Sequence, residues 1–304
     1  SQGTCSVCKQ IEYKEEKVDW VDRRQQLDEL VMLYKDKGLY DCIVPFSGGK
    51  DSTYQLWYIV RELKLKPLVV RFDHGFYRPI LEKNNKRTFK LLGVDVVQFT
   101  PSWHVVRELM LESLKRRGDF CWHCHTGIFS YPMRVACKFK IPLIIWGAHQ
   151  GIDQVGMYSH LDDVEMSRKY RKDHDLMGLE AEDLVSGADG LPEKDLLPFF
   201  YPHDKDIERV GVRGIYLNNF IRWDTKAQHE KMIRCYSYET AAQTRTFDTY
   251  SDVDSFIYSD LHDYVKFLKF GYGKVTDHAS REIRLRRMTR SQGIELVRQY
   301  TEKP

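Results

Sequence analysis

Short apolar runs and helical patterns alternate along the first half of the chain. The runs are CIVPF (42–46), PLVVRF (67–72), DVVQF (95–99) and PLIIW (142–146), with RGIYLNN (213–219) as a fifth. Between them stand DSTYQLWYIVREL, LEKNNKRTFKLL and VVRELMLESLKRR, which follow helical spacing. Continuous β-branched runs separated by helices predict an α/β fold, a doubly wound parallel sheet buried between helices on both faces. Pro45 argues against a central strand unless it closes the strand, and the expectation is that it does.

Upstream, Leu27, Leu30, Val31 and Tyr34 mark one face of an amphipathic helix that stops near Gly38. Residues 151–205 are polar and irregular and read as an insertion over the active face. From Asp224 onward the pattern is helical: WDTKAQHEKMI starts at a good N-cap, and SDVDSFIYSDLHDYVKFLKFGYG ends at glycines. Three parts follow: 1–38, an N-terminal Cys-pair segment and helix; 39–220, a nucleotide-binding domain with the insertion at about 151–205; and 221–304, a helical C-terminal substrate or partner region.

Charge narrows the class. The net charge is +3, from 47 basic and 44 acidic groups, which does not suit a dedicated nucleic-acid binder. No apolar run nears the roughly 20 residues that cross a bilayer, and the visible start has no signal-peptide pattern. A cytoplasmic location is expected. The sequence starts at Ser1 without an initiator Met, so an upstream segment, either trimmed or missing here, is expected as well.

The first strand runs into SGGKDS (47–52). This is not the G-x-x-x-x-G-K-[ST] loop of kinase-type nucleotide binders, yet its parts suit phosphate. Gly48 and Gly49 allow φ > 0 and close backbone approach, and the next helix aims its positive end at the same place. Ser47 and Ser52 add hydroxyls, and Lys50 adds a cation. Asp51 is unfavourable beside phosphate unless a metal ion or ordered N–H groups offset it, which suggests Mg²⁺ with pyrophosphate. The plainer alternative is a strand-to-helix turn with Asp51 or Ser52 as N-cap.

SGGKDS after a first strand resembles the signature of the PP-loop ATP pyrophosphatases, enzymes of the adenine nucleotide alpha-hydrolase-like fold that split ATP between its α and β phosphates. VVRFDHG (69–75) is similar to their adenine and ribose segment, which implies Phe72, Asp73 and His74 at the nucleotide. IIWGAHQGID (144–153) is similar to their glycine-histidine motif, which implies Gly147, His149 and Asp153 near the phosphates. The implied catalytic residues are Lys50, Asp51 and His149.

The flanks resemble a narrower family. GTCSVCKQIEYKEEKVDWVDRRQQL, GDFCWHCHTGIFSYP, IYLNNFIRWD and FLKFGYGKVTDHASREIRLRRMTRSQGIELV look like the bacterial N-acetyl sugar amidotransferases (WbpG/PseA-like) over nearly the whole chain. That resemblance implies ATP-dependent conversion of an acetamido sugar to an acetamidino sugar, for O-antigen or for pseudaminic or legionaminic acid glycans. It also implies glutaminase- and cyclase-type partner subunits that supply ammonia. In DHASREIRLRR, Asp277, His278, Arg281, Arg284 and Arg287 are the implied substrate-binding residues for a nucleotide-sugar or sugar acid. The alternative there is a solvated basic helix face.

Seven cysteines, four in C-x-x-C pairs, point to metal or redox chemistry in a chain without a secretion signal. Cys121, Cys124 and the distant Cys235 resemble the [4Fe–4S] set of PP-loop tRNA thiolases. Zinc held by Cys121, Cys124, Cys5 and Cys8 is the other reading, with His125 able to replace one ligand. Cys5 and Cys8 also look like half of a zinc knuckle. Cys42 and Cys137 are expected in the core. A tRNA thiolation enzyme and a catalytically idle nucleotide-binding subunit of a glycan complex remain as competing functions.

Overall fold

The computed structural model describes residues 3–153, 157–159, 161–162, 164–172, 176–185, 191–248 and 257–301. The side chain of Asp153, residues 186–190 of the expected insertion and residues 251–256 of the last expected helical pattern lie outside the described residues. In chain order come α1 (Ser6–Glu16), α2 (Trp20–Met32), β1 (Cys42–Pro45), α3 (Lys50–Arg61), β2 (Pro67–Phe72), α4 (Pro79–Leu92) and β3 (Asp95–Phe99). Then follow α5 (Trp103–Arg117), α6 (Trp122–Phe139), β4 (Leu143–Trp146) and the short turns α7 (Gln150–Asp153), α8 (Arg168–Tyr170) and α9 (Glu193–Leu196). The chain continues with α10 (Asp204–Val210), β5 (Arg213–Tyr216), α11 (Thr225–Tyr236), α12 (Ser259–Phe270), α13 (Lys274–Arg284) and α14 (Arg290–Thr301).

The five strands form one all-parallel sheet in the order β3-β2-β1-β4-β5, the doubly wound fold expected from the apolar runs. Because strand side chains alternate, each run feeds two cores. Cys42, Val44, Val69, Leu143 and Ile145 face α2, α3, α4 and α11. Ile43, Leu68, Val70, Ile144 and Trp146 face α6 and the segment after β4. Each fully buried Leu or Ile contributes about 1.5–3 kcal/mol of apolar transfer.

Two details depart from the expected sheet. β3 is an edge strand with exposed Asp95, Val96 and Gln98, so DVVQF is not sandwiched between layers. RGIYLNN gives a strand only as far as Tyr216 and then tightens into a 3₁₀ turn, Leu217–Asn219. Pro45 does end β1, and pairing with β2 persists one residue further through Phe46 N–H to Val70 O at 3.0 Å.

The order in which strands are added switches sides at β1, with β2 and β3 on one side and β4 and β5 on the other, and between β1 and β4 the pairing is slight: Ile43 opposite Ile144 is the register pair. Beyond it no further β1–β4 register pair forms among the described residues. The Gln55 amide satisfies the carbonyls left behind, donating to Ile145 O at 2.7 Å and Pro45 O at 3.3 Å. Open parallel sheets bind ligands in this kind of crevice.

Candidate active site

A cavity of about 250 Å³ lies at the carboxyl ends of β1 and β4. Its floor includes Pro45, Phe46, Phe72 and Gly147. Two glycines permit the close packing beneath it. A Cβ at 127 would stand 2.2 Å from the Phe72 ring, so Gly127 lets α6 sit against the end of β2. A Cβ at 147 would stand 3.1 Å from Gln55 Oε1 and 3.2 Å from the Trp223 ring.

The loop after β1 forms one wall, through Ser47, Asp51 and Ser52. Gly48 has φ +89°, the left-handed geometry expected of a phosphate-binding turn. Its N–H donates to Ser52 Oγ at 3.0 Å, and its carbonyl accepts from Tyr238 O–H at 3.0 Å. Burial holds the Tyr238 phenol far above its ordinary pKa, so it remains a donor. Gly49, without a side-chain cap, is the N-cap of α3, which rules out Asp51 or Ser52 in that role. The first N–H groups of α3 therefore face the loop mouth without partners from within the helix.

Lys50 Nζ lies 2.9 Å from Asp51 Oδ2. The other oxygen, Asp51 Oδ1, is buried with no hydrogen-bond partner among the described residues. An orphaned carboxylate oxygen is a donor that suits a hard cation.

The opposite wall is basic. Arg281 and Arg284, one turn apart on α13, and Arg287 just beyond it line the same cavity as the loop. Arg281 pairs with Asp248, and Arg287 Nη2 with Asp224 Oδ2 at 2.5 Å. Burial opposes ionisation of Asp224, but the hydrogen bonds from Arg287 and the Ala227 N–H prevail and hold its carboxyl below the ordinary value. Arg284 Nε is buried with no hydrogen-bond partner among the described residues. Two indole N–H groups, of Trp146 and Trp223, share that condition, and both rings line the cavity.

Helix α1 covers one side. Lys14 buries its stem and donates to Trp223 O at 3.1 Å, while Glu15 takes a bidentate pair from Arg222 at 2.7 and 2.9 Å. From the sequence, this stretch is expected to hold metal through Cys5 and Cys8 but not to form a helix, and Lys14, Glu15, Trp146, Trp223 and Gln55 carry no expected site role. The advance signals are positional: Lys14 and Glu15 follow the Cys pair, Trp146 ends β4, and Gln55 lies in the helix behind the loop.

Other expected site residues point elsewhere. Asp73 ties down its own turn, accepting from Gly75 N–H at 2.8 Å and Thr100 O–H at 3.1 Å. His74 is buried against Tyr77, ring centroids 4.3 Å apart, and burial lowers its pKa to about 3. His149 is buried too, its ring edge-on to Tyr216 and its Nδ1 accepting from Gly151 N–H at 3.1 Å. It shapes the turn that begins at its own position, through Gly151, rather than lining the cavity. Asp277 is exposed and pairs with Lys266, and the His278 ring shares a 2.7 Å hydrogen bond with Thr246 Oγ1.

The cysteines do not converge on one site. Cys5, the N-cap of α1, has its sulfur 3.2 Å from that of Cys8, whose backbone N–H holds the Cys5 thiol below the ordinary value. Cys121 is the N-cap of α6 and Cys124 lies one turn into it; burial raises both thiols, Cys124 to about 12. Cys235 is exposed on α11. Among the described residues the one metal-capable cluster contains Cys121 but none of Cys5, Cys8, Cys124 or Cys235. Cys42 is buried, as expected, whereas Cys137 is only partly so. No helix among the described residues is long and apolar enough to cross a membrane.

The chain is similar to known proteins in two respects. A curated relative, the uncharacterized protein MJ1599 of Methanocaldococcus jannaschii, is 29% identical over 125 residues, 41% of this chain and 44% of that protein. The match thus spans less than half the length of the relative. Residues 244–304, the stretch that contributes Arg281, Arg284 and Arg287 to the cavity, match the family model described as LPS biosynthesis protein WbpG-like, C-terminal domain.

Proposed function

We propose that the protein is an ATP-dependent amidotransferase of bacterial surface-glycan biosynthesis, for LPS O-antigen or a nonulosonic acid. It adenylates the acetamido oxygen of a sugar or nucleotide-sugar and replaces that oxygen with ammonia nitrogen. One observation carries the reading: the SGGKDS loop and the arginines of the WbpG-like segment line a single cavity over the β1–β4 crevice.

An acetamido carbonyl is a poor electrophile because its nitrogen donates into it. Its oxygen attacks the α-phosphorus of ATP, the α–β bridge breaks and pyrophosphate leaves. Ammonia then adds to the imidate carbon, and AMP departs with the former carbonyl oxygen, leaving the amidine. Ser47, Ser52, the Gly48–Gly49 backbone and the start of α3 receive the departing pyrophosphate, with Lys50 offsetting its charge. Asp51 Oδ1 is the protein oxygen that suits the Mg²⁺ accompanying ATP, an ion that neutralises polyphosphate charge.

Arg284, Arg281 and Arg287 take the anionic end of the sugar substrate, for which guanidinium is the bidentate partner. The Trp146 and Trp223 indoles offer apolar faces and N–H donors to a base or sugar ring. The ammonia comes from a glutaminase-type partner.

The test is release of AMP and pyrophosphate on adding ammonium and an acetamido nucleotide-sugar, with the amidine identified by mass spectrometry. Release that depends on the sugar supports the reading. Release driven by tRNA alone, or no release with either, rejects it.

A further inference from the structure

Away from the cavity, Asp119, Cys121 and His262 bring a carboxylate oxygen, a thiol and an imidazole nitrogen within 4.8 Å of one another. Asp119 and Cys121 occupy the turn between α5 and α6, and His262 lies on the first turn of α12. We propose that this trio binds a zinc-class divalent cation that ties α12, and through it the arginine-bearing α13, to the nucleotide-binding sheet.

The donor chemistry selects the ion. One thiol, one imidazole and one carboxylate form a borderline-soft set that suits zinc or cobalt, whereas magnesium and calcium take oxygen ligands. In a tetrahedral site with bonds of about 2.0–2.3 Å, ligand atoms stand roughly 3.4–3.8 Å apart, so closure takes side-chain shifts on the order of 1 Å. Three protein ligands leave a fourth position for water.

The surroundings hold the donors in place. Asp119 Oδ1 accepts from Cys121 N–H at 2.7 Å, and Arg117 reaches Asp119 Oδ2 at 3.4 Å. Cys121 is 3% exposed, enclosed beside Phe120 and Tyr258, whose rings meet edge-on at 5.1 Å. A carboxylate next to a buried thiol gains nothing from it when both are anionic; a cation between them satisfies both and the imidazole too.

Two further contacts put the trio on a seam between the segments. Lys269 of α12 donates to Arg117 O at 3.0 Å, and Ile257 N–H donates to Phe76 O at 2.9 Å. None of the three donors lines the cavity, so the inference does not depend on the amidotransferase reading.

The experiment uses the full chain carrying Cys5→Ser and Cys8→Ser, so that the N-terminal pair takes no metal. After anaerobic chelation, Co²⁺ is titrated in and followed by its thiolate charge-transfer and tetrahedral d–d absorption. One equivalent should bind, be displaced by Zn²⁺, and raise the Tm. His262→Ala and Asp119→Asn should each weaken binding by about tenfold or more, with the metal-free Tm near that of the parent. His262→Gln serves if the alanine variant does not fold, and Cys124→Ser should leave binding intact. The proposal is overturned by an absence of Co²⁺–thiolate absorption in the parent, by undiminished binding in the folded His262 variant, or by loss of binding in Cys124→Ser alone.

Discussion

The side-chain amide of Asn85 fills the space beside Gly48: a Cβ on residue 48 would stand 2.4 Å from Asn85 Oδ1. Asn85 comes from α4, whose neighbour Asn84 is clamped to the Glu239 backbone by two 2.9 Å hydrogen bonds. The loop is thus shaped from above as well as by its own sequence. Gly48→Ala meets two obstacles, a left-handed φ and a clash, and should destabilise the protein by about 1–3 kcal/mol. It should also suppress pyrophosphate release. In Gly48→Ala/Asn85→Ala the clash is gone but the φ penalty remains, so urea denaturation should show partial recovery of stability. Full recovery would mean that φ does not matter here.

On the proposed function, a change at Asp51 should separate turnover from folding. Its side chain is about one-third exposed and its ion pair is with adjacent Lys50, so little of the fold depends on it. Asp51→Asn keeps the shape but loses the anionic oxygen. Turnover of ATP should fall below detection while the Tm stays within about 2 °C of the parent. Retained turnover would remove Asp51 from the chemistry.

Legibility from sequence was uneven for identifiable reasons. PLVVRF and DVVQF are strands over the spans read from the apolar pattern, because an unbroken β-branched run between helical patterns has few other solutions. The loop was legible because its conformation is local: two glycines and two serines at a strand-to-helix turn carry their own geometry. Side-chain direction was not. His74 and His149 sit in recognisable motifs, yet their rings turn into aromatic neighbours brought there by the fold. Helix α1 escaped notice because its buried contacts include Lys14, whose apolar stem does not register in a hydrophobic pattern. Asp119 and His262 lie far apart in sequence, so spacing alone could not pair them.

The arginine wall divides into groups with different expected effects. Arg281 serves Asp248, a buried carboxylate, so removing the arginine should cost stability as well as binding. Arg284 has a buried nitrogen with no hydrogen-bond partner among the described residues. Arg284→Ala should therefore raise KM for the sugar substrate by about 10- to 100-fold, equivalent to roughly 1.5–3 kcal/mol of a charge-assisted hydrogen bond. KM for ATP and the Tm should change little. Asp277→Ala, on the same helix but exposed and paired with Lys266, is the matched control and should leave both KM values near the parent. Equal effects of Arg284→Ala and Asp277→Ala would show that the helix acts through its fold rather than its guanidinium.

Acid should weaken the protein through two buried histidines. Burial lowers His74 to about 3, aided by the charges of His123 and Arg71, and burial likewise lowers His123 to about 4. An unfolded imidazole titrates near about 6.5, so below that pH the unfolded chain binds protons that the folded one refuses. The stability linked to these rings is fully present above about pH 6.5 and is lost as pH falls toward their folded values. Together they give a slope of up to about 3 kcal/mol per pH unit between roughly pH 6 and 4. His74 Nδ1 accepts from Phe76 N–H at 3.2 Å, a role that glutamine can fill without titrating. Urea denaturation of His74→Gln at pH 7, 6 and 5 should show about half the parental slope. An unchanged slope would place the acid sensitivity elsewhere in the chain.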